Sequence, residues 1–124
     1  VIAFRDAIIK LDYDKGQQPS LARIELMLSR IERVWTSLEL RRSPGGHGWH
    51  VLLTIEPSPR SPMEVVALQA ILGSDPWREL MQVERALSYR KAPAWMRRHW
   101  NVLYLRDSRR ERHFNLRRMR RVNF

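Results

Sequence analysis

The stretch Trp49-His50-Val51-Leu52-Leu53-Thr54-Ile55-Glu56 alternates. It puts Trp49, Val51, Leu53 and Ile55 on one face and His50, Leu52, Thr54 and Glu56 on the other, which is the two-residue period of a pleated strand. Such a strand needs a hydrogen-bonded neighbour and a cover for its apolar face. The sequence just before it offers the neighbour. Ser37 to Arg42 alternates in the same way, with Leu38 and Leu40 facing one side and Glu39 and Arg41 the other, and Ser43-Pro44-Gly45-Gly46 breaks the run. Two alternating runs joined by a glycine-rich break predict a β-hairpin.

The remaining elements follow from the same signals. Ala7, Ile9, Leu11 and Tyr13 alternate with Ile8, Lys10, Asp12 and Asp14 as a first strand. After the Lys15-Gly16-Gln17-Gln18-Pro19 turn, Ser20 is placed to cap a helix with apolar positions Leu21, Ile24, Leu28, Ile31 and Trp35. Ser61-Pro62-Met63-Glu64 combines a capping box with Pro at the first helical position, and the helix it opens carries Val65, Leu68, Ile71 and Leu72 before stopping at Gly73. Asp75-Pro76 opens a third helix through Trp77, Leu80, Val83 and Leu87. Trp100 to Leu105 reads as a last strand.

The order β-α-β-β-α-α-β predicts an α+β fold of the RRM-like, split βαβ kind, with an antiparallel or mixed sheet and helices on one face. The expected strand order is 4-1-3-2, with the first and third strands parallel neighbours and the other sheet face open. Residues 1–105 form this module, and 106–124 an arginine-rich tail. Trp35, Trp49 and Trp77 fall on expected core faces, while Trp95 and Trp100 flank Arg97-Arg98-His99.

Charge is the strongest statement composition makes about partners. Across 124 residues, 23 Lys and Arg oppose 13 Asp and Glu for a formal net charge of +10, which favours a polyanion. Lys10, Lys15 and Lys91 are the only lysines; arginine suits bidentate phosphate contacts and stacking on bases. The candidate nucleic-acid contacts, to DNA or RNA, are Lys10, Arg97, Arg98, Arg106, Arg109, Arg110, Arg117 and Arg118. Cysteine is absent, which excludes disulfides and thiolate zinc sites. With no apolar run long enough to span a bilayer, the expectation is a cytoplasmic protein without a membrane partner.

If the first and third strands run parallel, Asp12, Asp14 and Glu56 converge at one end of the open face. Three carboxylates there suit Mg²⁺ or Mn²⁺, hard cations that bridge substrate phosphates. Two acids closing a strand also suit a plain solvated turn. The loop from Ser43 through His47 to His50 brings backbone N–H groups that can approach phosphate, and His50 shares the face of the acids. Lys10, Arg41 and Arg42 are expected nearby.

Asp12-x-Asp14 closing a first strand, then Ser43 and a glycine-flanked loop leading to His50, resembles the archaeo-eukaryotic primase and primase-polymerase superfamily, especially its small plasmid and phage members. Gln69 to Glu79 and Trp100-Asn101-Val102-Leu103 are similar to it as well. The resemblance implies metal-dependent nucleotidyl transfer in plasmid or phage replication, with Asp12 and Asp14 on the metal. His50 and Ser43 would sit at the phosphates of an incoming nucleoside triphosphate, and Arg41 and Arg42, expected nearby, supply basic surroundings to hold the nucleotide. The family's third acid has no clean counterpart; Glu56 fits the expected geometry, and Asp75 and Asp107 are weaker candidates. The alternatives are a non-catalytic RRM-like DNA- or RNA-binding module, and a rolling-circle replication endonuclease using His47, His50 and a Tyr89 nucleophile. For the endonuclease, the three-residue spacing of the histidines departs from one strand face.

Overall fold

The computed structural model describes residues 7–14, 16–43 and 48–101. In chain order these form β1 (Ile9–Tyr13), α1 (Leu21–Arg30), β2 (Val34–Arg42), β3 (Trp49–Glu56), α2 (Pro62–Ile71), α3 (Pro76–Leu87), a 3-10 turn (Tyr89–Lys91) and α4 (Ala94–Arg98). The α+β class and the order of the first six elements agree with the sequence reading. The expected last strand lies outside the described residues from Val102 onward, as does the tail.

The sheet has the order β1-β3-β2, and both pairings are antiparallel, Leu11 opposite Val51 and Leu40 opposite Val51. The expected parallel relation of β1 and β3 is therefore corrected. A helical crossover returns the chain so that β2 runs the same way as β1, and the hairpin then reverses β3 between them. The end of β1 thus meets the beginning of β3, with direct consequences for the acidic residues.

α1 opens where expected: the Arg23 N–H donates to Ser20 Oγ at 3.3 Å. It closes a turn earlier than its apolar spacing suggests. Ile31 caps it, Glu32 takes a left-handed φ of 56°, and Val34 and Trp35 join β2 instead of the helix. A bulge at Thr36, between the pairs Trp35–Ile55 and Ser37–Thr54, restores the phase. It lets Trp35 share a face with Leu38 and Leu40, which an unbroken two-residue period forbids.

That face, with Ile9, Leu11, Tyr13, Val51, Leu53 and Ile55, packs against Ile24 and Leu28 of α1 and Val65, Leu68 and Leu72 around α2. α2 is capped as its sequence predicts, the Glu64 N–H donating to Ser61 Oγ at 3.1 Å. Glu64 also accepts a hydrogen bond from the Arg60 N–H and forms an ion pair with Arg33, and these partners, the Arg60 N–H first, hold its carboxyl below the usual range. Gly73 turns the chain with φ 90°, a conformation that favours glycine, and Asp75 caps α3.

α3 is inverted. Its buried residues are Arg78, Glu79 and Gln82, whereas Trp77, Leu80 and Leu87 are 75%, 61% and 73% exposed. The expectation that Trp77 belongs to the core is therefore corrected. The polar side faces inward because the outer edge of β1 needs partners. The Lys10 N–H donates to Gln69 Oε1 at 2.9 Å, and Arg78 Nη1 donates to the Lys10 carbonyl at 2.6 Å. The Asp12 N–H donates to Ser74 Oγ at 2.9 Å, and its carbonyl accepts from the Asp75 N–H at 2.6 Å. Asn101 Nδ2 donates to the Ile8 carbonyl at 3.1 Å. Side chains and a helix cap thus take the place of a neighbouring strand over Ile8 to Asp12, which blunts an edge otherwise open to pairing.

Candidate phosphate-handling site at the end of the first strand

The register fixes which polar residues meet. Asp12 is the cross-strand partner of His50, and His50 that of Arg41, so the three form one row across the sheet on the face opposite α1 and α2. Lys10, Leu52 and Glu39 form the next row. His50 Nε2 lies 3.4 Å from Asp12 Oδ1, and Nδ1 has no hydrogen-bond partner among the described residues.

The face is not open at this row. His50 is 1% exposed, and Leu52 and Arg41 are buried too. At this end Asp12 is partly exposed and Asp14 exposed, while the imidazole lies beneath the surface. His50 lies beside the Asp12 carboxylate, and its burial departs from the uncovered position on the sheet face expected of it.

Positive charge crowds beneath the row. Burial, then Arg78 and Arg41, lower the Lys10 ammonium to about 8, and its Nζ donates to the Asn101 carbonyl at 2.8 Å. Burial likewise pushes the Arg41 guanidinium down, with Glu39 acting the other way. Arg42 is exposed, its guanidinium 4.1 Å from the Trp49 ring centroid, a cation–π contact.

Ser43 ties the loop instead of facing outward. Its N–H donates to the Gly48 carbonyl at 2.9 Å, and its Oγ accepts from the Gly48 N–H at 3.1 Å. Gly48 itself is tightly placed: a Cβ there would sit 2.3 Å from the Tyr13 carbonyl oxygen. Loop residues 44–47, His47 among them, lie outside the described residues.

The three expected metal ligands do not converge. Glu56 is paired with Val34 at the far end of β3, six residues from His50, or roughly 20 Å along a strand. The antiparallel register is the reason. Of the other third-acid candidates, Asp75 adjoins Asp12 through its backbone, but its carboxylate accepts from the Arg78 N–H at 3.3 Å, and Asp107 lies outside the described residues. Among the described residues no group of three or more His, Cys, Asp or Glu is placed to hold a metal. Asp12 and Asp14 supply two carboxylates, an incomplete set for Mg²⁺ or Mn²⁺.

Tyr89 lies in the 3-10 turn, edge-on to Trp100 at 6.3 Å between ring centroids. Arg97 donates to the Ala92 carbonyl at 2.6 Å, and Arg98 is exposed. Arg106, Arg109, Arg110, Arg117 and Arg118 lie outside the described residues.

Periodicity missed a buried polar network. Gln69 Nε2 donates to Glu79 Oε1 at 2.6 Å, Ser74 Oγ donates to Glu79 Oε2 at 2.7 Å, and Arg78 Nη2 donates to Asn101 Oδ1 at 2.7 Å. Its signal was polar residues at inward helical positions beside a strand with a free edge. No helix among the described residues is long and apolar enough to cross a membrane. No family model, curated protein or solved structure matches the chain.

Proposed function

We propose that this chain binds nucleic acid, engaging phosphates along its arginine-rich sequence. The observation that carries the reading is the charge of the chain, a formal net +10 with arginine in large excess over lysine, which favours a polyanionic partner. The sequence from Arg106 onward adds eight arginines against Asp107 and Glu111, so much of the net charge lies there.

Binding of this kind releases counterions, with a slope of about 0.7 in log affinity per phosphate contact on single strands. Anisotropy of a labelled single-stranded oligonucleotide, titrated over a salt series, tests it. Replacing Arg117 and Arg118 by Gln lowers the slope by about 1.4 if both contact phosphate. An affinity indifferent to salt overturns the proposal.

Asp12 backed by His50, with Asp14 beside it, favours a second reading: metal-dependent nucleotidyl transfer of the primase-polymerase kind. A third ligand would then come from outside the described residues. Template-directed synthesis with Mn²⁺, lost in Asp12→Asn and Asp14→Asn, supports it; synthesis retained in Asp12→Asn refutes it.

A further inference from the structure

The outward side of α3 is an apolar feature that neither the fold nor the site at the end of β1 uses among the described residues. Trp77, Leu80, Met81 and Leu87 recur at helical spacing on it and are all exposed, and Trp95 and Met96 of α4 are exposed as well. An apolar stripe along one helix face that carries an exposed tryptophan, as Trp77, Leu80, Met81 and Leu87 form on α3, marks an interaction site.

Charge selects among occupants. Glu84 is exposed and stands within the stripe, since helical spacing puts it between Leu80 and Leu87 and in line with Trp77 and Met81. Insertion into a bilayer would drive that carboxylate toward acyl chains, which is costly. A second copy packed on the same face about a two-fold axis would bring Glu84 toward its own equivalent, and two chains of net charge +10 repel one another. Beyond the C-terminal end of α3 the exposed charges are basic: Arg90, Lys91 and Arg98.

We propose that this face of α3 docks an amphipathic helix of a partner protein. The partner's apolar stripe is flanked by acidic residues that meet Arg90, Lys91 and Arg98, and carries one basic residue opposite Glu84. Inversion of α3 then serves two ends at once, its polar side sealing β1 and its apolar side held out for a partner. Recognition is by anchor residues in a helix-to-helix contact.

The test uses the full chain and a labelled synthetic helical peptide with a leucine stripe at i, i+3, i+4 and i+7, glutamates beside it and one central lysine. A control peptide carries lysines in place of the glutamates. The proposal expects saturable binding of the acidic peptide, weakened about thirtyfold in Trp77→Ala, the usual effect of removing an aromatic anchor. Binding to the lysine peptide should be weaker still. Glu84→Lys should weaken the acidic peptide and be rescued by a version whose central lysine is glutamate, a reversal that misfolding cannot mimic. Equal affinity for the acidic and lysine peptides overturns the proposal. So does binding unchanged in Trp77→Ala, preferential partition to phosphatidylserine vesicles, or dimerisation through this face in sedimentation velocity.

Discussion

Gln69 ties α2, α3 and β1 together, and its replacement by Leu measures what sealing the β1 edge contributes. The side chain is fully buried. Its Oε1 accepts from the Lys10 N–H at 2.9 Å and Asn101 Nδ2 at 2.7 Å, while Nε2 donates to Glu79 at 2.6 Å. Leucine has nearly the same volume, so little of the effect comes from a cavity. The Lys10 N–H is left buried without a partner, at about 1–3 kcal/mol, and Glu79 loses a charge-assisted bond of about 1.5–3 kcal/mol. Asn101 Nδ2 retains the Ile8 carbonyl and adds little. The expected loss is about 3–5 kcal/mol, a large part of the roughly 5–15 kcal/mol of a typical domain. With a urea slope of about 2 kcal/mol per M, the unfolding midpoint falls by about 2 M. Urea titration followed by tryptophan fluorescence and circular dichroism measures it, with Ala67→Gln on the exposed side of α2 as a control expected within about 0.5 kcal/mol of the parent. A midpoint shift under about 0.5 M for Gln69→Leu would refute the view that these side chains seal the outer edge of β1.

Three further outcomes follow from the same geometry. Lys10 is held at about 8 when folded against 10.5, so across that window the unfolded chain binds the extra proton and stability rises with pH; above pH 10 Tyr13, raised to about 12 by burial, reverses the trend. Chemical denaturation from pH 8 to 10 reads the rise, Lys10→Met removes it, and a flat parental profile contradicts the assignment. Gly48→Ala sets a Cβ against the Tyr13 carbonyl and should cost about 2 kcal/mol or more by forcing the strands apart; a thermal midpoint equal to the parent's would show that the corner has slack. Trp77→Ala should leave stability within about 0.5 kcal/mol of the parent because the indole is exposed, whereas a loss of about 3 kcal/mol in urea titration would restore Trp77 to the core.

Local signals placed the elements better than they placed the faces. Caps at Ser20, Ser61 and Asp75 and the alternation of β1 and β3 were all legible, because each depends on a few neighbouring residues. Where α1 ends was not: Ile31 and Trp35 continue its apolar spacing, yet β-branched and aromatic residues at 34–36 pair with β3 through a bulge that spacing cannot anticipate. The acidic site failed at a different level. Asp12 and His50 were placed on one sheet face, but the assumption of parallel strands set Glu56 instead of His50 beside Asp12, and the antiparallel register reverses that. Counting chain reversals through one helix and one hairpin would have placed Glu56 at the opposite end.

The inversion of α3 has a physical cause that periodicity does not carry. An amphipathic pattern shows that a helix has two unlike sides and leaves open which one the protein takes. Here the choice was made by β1, whose outer backbone groups from Ile8 to Asp12 have no strand to bond among the described residues. Gln69, Ser74, Arg78 and Asn101 supply those bonds, and with Arg78 and Glu79 turned inward, Trp77, Leu80 and Leu87 had to point out. Turning the helix over to bury that stripe would strip Lys10 of Arg78 and leave the Arg78–Glu79 pair without its partners. The exposed apolar surface is therefore a consequence of closing the sheet edge, and substitutions that make α3 more polar outside should be tolerated far better than those that make it less polar inside.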